Sequence, residues 1–156
     1  MSIKNVHILP LQKKDLPAVQ LIEQQSYPHP WTDAQFLQEL ENPVAAIDLL
    51  WLAEQLAGYI CYWLIAGEMQ ILNIATSPQF RRRGIAGKLL QHAFSVCAQQ
   101  GLEQAFLEVR VGNRAAISLY QREGFVADVL RRGYYRDGED ALLMVRDFTT
   151  SRFENR

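Results

Sequence analysis

Three consecutive arginines, Arg81, Arg82 and Arg83, stand against Gly84 at the head of an apolar run, in the stretch FRRRGIAGKLL. A helix N-terminus offers unpaired backbone N–H groups and the positive end of the helix dipole. Together these make an anion site, and phosphates use it often. Gly84 lets the backbone approach a ligand closely, and Ile85 and Ala86 open the helix with a narrow first turn. The arginines and Lys88 would screen a ligand's charge. Neither G-x-x-x-x-G-K-[ST] nor G-x-G-x-x-G is present, so the turn is neither a P-loop nor a dinucleotide fingerprint. The competing account is a solvated, arginine-rich turn.

A second group lies in LEVRVGNRAAISLYQREGF, residues 107–125. Strand alternation sends Phe106, Glu108 and Arg110 to one face and Leu107 and Val109 to the other. Acids are depleted within strands, so Glu108 is either a surface residue paired with Arg110 or a carboxylate with chemical work. Seven residues separate Asn113 from Tyr120, about two helical turns, which puts both on nearly the same face. Beside Ile117, Tyr120 also reads as an ordinary core tyrosine. His7, His29 and His92 are isolated, without ligand spacing, so no metal is expected.

The elements that must position these groups follow from periodicity. VHILPL reads as a first strand. KDLPAVQLIEQQS reads as a helix with Asp15 as N-cap and Leu16, Val19 and Ile22 spaced three apart. YPHPW is excluded from a helix by its prolines. A second helix starts at Thr32, where Thr32 and Gln35 form a capping box, and ends before Asn42-Pro43. AIDLLWLAE, LAGYICYWLI and MQILNIAT read as three strands, with Gln55, Gly58 and Gly67 in the short connections that suit antiparallel neighbours. A helix runs from Gly84 to about Gln100, stopped by Gly101. QAFLEVRV is a strand, and NRAAISLYQRE a helix capped by Asn113 and ended by Gly124. FVADVLRRGYY and EDALLMVRDF close the fold as a hairpin around Asp137-Gly138. This order gives an α/β fold, a mixed sheet of about seven strands flanked by about four helices. The expectation is one domain over 1–148 and a mobile tail over 149–156.

The chain has 156 residues, 49% hydrophobic and 21% charged, with a formal net charge of −1. That size suits one domain with a real core, and the charge argues against wholesale binding to nucleic acid or a membrane. Cys61 and Cys97 form no C-x-x-C, the segment MSIKNVHILP is too short and polar for a signal peptide, and no apolar run reaches spanning length. A cytoplasmic protein is expected.

IATSPQFRRRGIAGKLL couples a buried strand to an R-x-x-G-x-A turn and an amphipathic helix. It resembles the acetyl-CoA-binding motif of the GNAT N-acetyltransferase superfamily, Q/R-x-x-G-x-G/A, matched here by Arg81, Gly84 and Ala86. The resemblance implies the GNAT (acyl-CoA N-acyltransferase) fold. It also implies that the turn holds the CoA pyrophosphate, with Arg82, Arg83 and Ile85 beside it. The strand residues Ile74, Ala75 and Thr76 would pair with the pantetheine arm. Residues 107–125 are similar to the corresponding segment of the bacterial ribosomal-protein alanine N-acetyltransferases. There the match to Glu108 is the general base, the match to Tyr120 the general acid, and the match to Asn113 an acetyl-CoA contact. DLPAVQLIEQQSYPHPWT and RRGYYRDGEDALLM resemble further segments of that family.

The chemistry so implied is direct acetyl transfer in a ternary complex. An α-amino group, with a reference pKa of about 7.7–8.0, is mostly protonated near neutrality. A carboxylate takes its proton, the amine attacks the thioester, and a strand N–H near Ala75 would stabilise the oxyanion. The CoA thiolate then takes a proton from Tyr120. Acetyl-CoA is the co-substrate, and the N-terminal peptide of a small-subunit ribosomal protein the partner. Trp31 is either a core plug or a wall of the peptide groove. Tyr134 and Tyr135 are either cross-strand packing or a pair beside the acceptor N-terminus. Alternatives are an acetyltransferase for other protein N-termini, lysines or small amines, a CoA-binding module without turnover, and a nucleic-acid module reading RRRG.

Overall fold

The computed structural model describes residues 5–149. Its strands are β1 (Val6–Pro10), β2 (Ala45–Leu52), β3 (Gln55–Ile65), β4 (Glu68–Thr76), β5 (Gln104–Arg110), β6 (Val126–Arg131) and β7 (Ala141–Asp147). Its helices are α1 (Leu16–Ser26), α2 (Asp33–Glu41), α3 (Ile85–Ala98) and α4 (Arg114–Arg122). The strands are ordered β1-β2-β3-β4-β5-β7-β6 in one seven-stranded sheet. β4 and β5 run parallel, while β1–β2, β2–β3, β5–β7 and β6–β7 are antiparallel. The sheet is therefore mixed, the α/β architecture that the alternation of patterns implies. No described helix is long and apolar enough to cross a membrane.

The chain falls into two compact units, one of residues up to Trp63 with Asn73–Ala93, the other of Leu64–Leu72 with the residues from Phe94 on. In the first, Phe36, Leu49, Leu50, Tyr59 and Leu89 are fully buried. Its helix α2 starts as Thr32 and Gln35 require. The Gln35 N–H donates to the Thr32 hydroxyl at 3.2 Å and the Thr32 N–H to the Gln35 side-chain oxygen Oε1 at 2.8 Å. Asp15 stands at the N-cap position of α1 as expected, but its carboxylate turns back to accept from the Gln12 N–H at 3.0 Å. Its side chain thereby closes the short 3-10 turn before α1 and makes no capping bond to the helix. His92 is less isolated than its spacing suggests, with Nε2 3.6 Å from the Asp48 carboxylate. Burial raises the Asp48 carboxyl above its usual range, against the opposing effects of His92 and the Tyr62 hydroxyl.

In the second unit, β5 alternates as its sequence dictates, with Ala105, Leu107 and Val109 buried and Phe106, Glu108 and Arg110 half-buried. Leu107, Phe125 and Met144 are among its most deeply buried side chains. The closing hairpin differs from expectation. β6 stops at Arg131, because Gly133 turns the backbone left-handed at φ +61°, and Tyr134 and Tyr135 lie in the β6–β7 connection. A second difference concerns Gly58 and Gln55, which are strand residues; the β2–β3 connection is Ala53-Glu54. Of the expected tail, Thr149 is held by Asp147, its N–H donating at 2.8 Å; residues 150–156 lie outside the described ones.

Candidate active site

The arginine–glycine turn sits where a strand hands over to a helix. Two of its residues are left-handed, Arg82 at φ +65° and Gly84 at φ +75°. A left-handed arginine is strained, a cost that a surrounding structure must hold in place. The Lys88 N–H donates to the Gly84 carbonyl at 3.0 Å as the first turn of α3 closes. The N–H groups of Ile85, Ala86 and Gly87 therefore precede any intrahelical acceptor. Ile85 is buried and fixes the turn from below, while Arg81, Arg82, Arg83 and Gly84 are exposed. Arg83 leans over the Phe80 ring at 5.6 Å. Space beyond the Gly84 α-carbon is open to 4 Å, so an anion can approach the backbone there. The residues present fit a diphosphate.

The strand leading into the turn is buried to its end, with Ile74 7% and Ala75 6% exposed and Thr76 half-buried. The Tyr27 hydroxyl donates to the Ile74 carbonyl. The Ser77 N–H donates to the Ala57 carbonyl at 2.7 Å, and Ala57 is the extra residue where the β2–β3 register shifts. Beside it, Gly58 faces Ala75 so closely that a Cβ would stand 2.6 Å from the Ala75 carbonyl oxygen. That oxygen is backbone and cannot swing away. Gly58→Ala is therefore expected to cost about 1–3 kcal/mol of stability by overpacking. Denaturant unfolding checks it, and an unchanged midpoint would refute the steric role.

Trp31 combines features of both its sequence readings. Its ring packs on Phe36 at 5.1 Å, and Phe36 meets Tyr59 edge-on at 5.9 Å, yet the residue stays half-exposed. Its backbone is held at both ends: the N–H donates to Glu23 Oε2 at 2.9 Å, and the carbonyl accepts from Gln20 Nε2 at 2.8 Å.

The second unit carries the candidate acid and base. Glu108 accepts from Arg131 Nη1 at 3.0 Å, its side chain 23% exposed. Tyr134 packs against the same arginine, with the Arg131 guanidinium 5.6 Å from its ring centroid, and the nearby Glu108 carboxylate raises the Tyr134 phenol above its ordinary value. Glu108 is thus not paired with Arg110. Arg110 instead reaches Asp137 at 2.8 Å and Glu139 at 2.9 Å, with its guanidinium 3.9 Å above the Tyr135 ring. Glu139 in turn accepts the Gly112 N–H at 3.0 Å. Tyr134 and Tyr135 meet edge-on at 5.2 Å. Arg110, Asp137 and Glu139 thus latch the tyrosine loop to the end of β5, which the sequence reading missed.

Tyr120 is 7% exposed, with its ring edge-on to Phe125 at 5.9 Å. Burial, and to a lesser degree Tyr135, pushes its phenol above the ordinary value. Asn113 caps α4, its side-chain oxygen accepting the Ala116 N–H at 3.2 Å. Glu108, Arg131 and Tyr134 therefore form one cluster, and Arg110 and Tyr135 a second. Burial also pushes the Cys61 thiol up, far from a reactive thiolate. Among the described residues no cluster of His, Cys, Asp or Glu suits a metal ion.

Residues 16–125 match the profile of the Acetyltransferase (GNAT) family. A Bacillus subtilis relative is 37% identical over 136 residues, 86% of this chain and 90% of its own; it is named, provisionally, a ribosomal protein bS18-alanine N-acetyltransferase. A Salmonella typhimurium enzyme with that name is 34% identical over 137 residues, 86% of this chain and 92% of its own. The crystal structure of the ribosomal-protein-S18-alanine N-acetyltransferase from Escherichia coli superposes with a TM-score of 0.84 at 32% identity, covering 91% of this chain and 93% of that one. The mixed sheet, the left-handed arginine–glycine turn opening α3, and likeness along nearly the whole chain agree: the protein belongs to the GNAT family of acetyltransferases.

Proposed function

We propose that the protein moves the acetyl group of acetyl-CoA to the N-terminal alanine of a small-subunit ribosomal protein, by direct attack in a ternary complex. The observation that carries the acceptor is its 34% identity to the Salmonella enzyme over 92% of that enzyme's length. When bound, acetyl-CoA supplies an activated thioester. The turn Arg81–Ala86, exposed from Arg81 to Gly84, holds the diphosphate by backbone N–H groups and charge. Ile74, Ala75 and Thr76 give edge-on backbone groups to the pantetheine arm, and a strand N–H near Ala75 stabilises the oxyanion. Asn113, as the cap of α4, contacts the co-substrate.

Glu108 accepts the proton of the α-amino group, directly or through water, and leaves a nucleophilic amine. Tyr120 returns a proton to the departing thiolate. A phenol is protonated at neutral pH, and burial keeps Tyr120 so to higher pH. Trp31 is read as a wall of the acceptor groove, and Tyr134 and Tyr135, by the resemblance, as a pair beside the acceptor N-terminus. Cys61 and Cys97 are both buried, and no covalent acyl-enzyme is needed. The reaction belongs in the cytoplasm, where ribosomal proteins are made, within the single domain of residues 1–148.

Release of CoA is to be followed with a ribosomal peptide beginning in alanine and with the same peptide N-terminally blocked, and mass spectrometry is to place the acetyl group. Release with the free peptide alone is expected. Acetylation of the blocked peptide on lysine, or of neither peptide, would move the acceptor to another class of amine.

A further inference from the structure

Glu23 is the most deeply buried acid of the described residues, 1% exposed on α1. A buried carboxylate is costly unless its oxygens are satisfied. Here three donors converge on it from three elements. Oε1 accepts from the Tyr59 hydroxyl of β3 at 2.5 Å and from Asn73 Nδ2 of β4 at 2.8 Å. Oε2 accepts from the Trp31 N–H at 2.9 Å. Among the described residues no cation pairs with it, so hydrogen bonds alone satisfy its oxygens. Tyr59 answers to it: burial, then the Glu23 charge, raises its phenol above the ordinary value.

One turn on from Glu23, the Tyr27 hydroxyl bonds the Ile74 carbonyl, next to Asn73. One turn back, Gln20 bonds the Trp31 carbonyl at 2.8 Å. The loop from Tyr27 to Trp31 has two prolines and exposed residues Pro28, His29 and Pro30. It is thus tied at both ends to α1, and through Glu23 to the last residues of β4. An apolar residue at position 23 would need no acceptor's desolvation, but would leave the Trp31 N–H, the Tyr59 hydroxyl and the Asn73 amide without this partner. A carboxylate there supplies what an apolar side chain lacks, a fixed distance between the Trp31 backbone and Asn73.

We propose that Glu23 is a positioning residue for the acceptor, holding the 27–31 loop at a set distance from strand β4. This rests on the reading of Trp31 as a wall of the acceptor groove. Glu23 touches neither substrate; it acts through Trp31 and Asn73. A groove wall that drifts from the strand loses contact with the peptide it should hold, so a carboxylate spanning the two carries that geometry.

Three variants test it. Glu23→Leu keeps volume and removes every acceptor. Glu23→Gln retains an oxygen for the Trp31 N–H, because the Tyr59 hydroxyl can turn and the Asn73 amide can flip. Gln20→Ala leaves the buried cluster whole and frees only the Trp31 carbonyl. Glu23→Leu should raise the KM for the alanine peptide by roughly tenfold or more, as loss of a charged hydrogen bond implies, with the KM for acetyl-CoA unmoved. Glu23→Gln should recover most of it, and Gln20→Ala should show a smaller rise of the same kind. Hydrogen exchange over residues 27–32 should quicken in Glu23→Leu and in Gln20→Ala. Should Glu23→Leu fail to fold, Gln20→Ala decides by the same two readouts. Equal rises in both KM values, or unchanged exchange in folded variants, would overturn the proposal. Faster exchange with an unchanged peptide KM would overturn the acceptor role as well. If the wild type acetylates no alanine peptide, the acceptor reading has failed by itself, and exchange over the loop still decides whether Glu23 holds it.

Discussion

Glu108→Gln is expected to slow acetyl transfer at pH 7 by about 10²- to 10⁴-fold, the usual worth of a positioned general base. The KM for acetyl-CoA should stay nearly constant. Gln is isosteric and its amide oxygen still accepts from Arg131, so the change removes basicity and little else. The Arg131 pair is no obstacle to the role. The Arg131 side chain is 45% exposed, and a pair so open to solvent is worth little and exchanges readily. The deficit should also depend on pH, with a sign fixed by the acceptor. Below about pH 7.7–8.0 the α-amino group is mainly protonated and needs a base. Above that range it is mainly free, so wild type and variant should converge. Initial rates of CoA release from pH 6 to 9.5 measure this. Equal turnover at every pH would remove Glu108 from the base role. A rise only in the KM for acetyl-CoA would make it a binding residue.

The parts of the molecule that were legible in its sequence are those whose cause lies within a few residues. The capping box of Thr32 and Gln35, the Asn113 cap and the helix opening after Gly84 are local hydrogen-bond problems with local solutions. The burial of alternate residues in β5 is a period of two written out in QAFLEVR. The candidate acid and base lie within one strand–helix segment, so a single stretch of sequence displays both. What could not be read depends on partners far along the chain. Glu23 meets Trp31, Tyr59 and Asn73, which are 8, 36 and 50 residues away. Sheet register brings them together, and register is a property of the whole fold. A signal did exist, since Glu23 follows Leu16, Val19 and Ile22 on the buried stripe, where an acid is out of place. Gly58 gave one too, as a glycine inside a strand pattern, which marks a bulge or a close backbone approach. The latch of Arg110 on Asp137 and Glu139 had none, because it required β6 to end early at Gly133.

Tyr120→Phe should lower kcat by about 10²- to 10⁴-fold if the phenol supplies the proton to the leaving thiolate. The substitution is clean for a structural reason. The ring is held by packing, edge-on to Phe125 at 5.9 Å, and among the described residues its hydroxyl has no hydrogen-bond partner. Phenylalanine therefore keeps the contact and leaves no orphaned donor, so the unfolding midpoint should hardly move. The pH dependence follows from the raised phenol. Burial disfavours the tyrosinate, so the protonated form persists to higher pH than in a free tyrosine, whose pKa is about 10. If Tyr120 is the acid, wild-type kcat should show no descending limb below about pH 10. The same burial weakens the phenol as a donor. In a site that excludes water the thiolate is destabilised as well, so its affinity for the proton rises in step. A variant that loses only acetyl-CoA affinity, with kcat intact, would recast Tyr120 as a packing residue beneath the co-substrate. Loss of kcat with both KM values preserved would leave the hydroxyl as the group that makes the difference in the transition state.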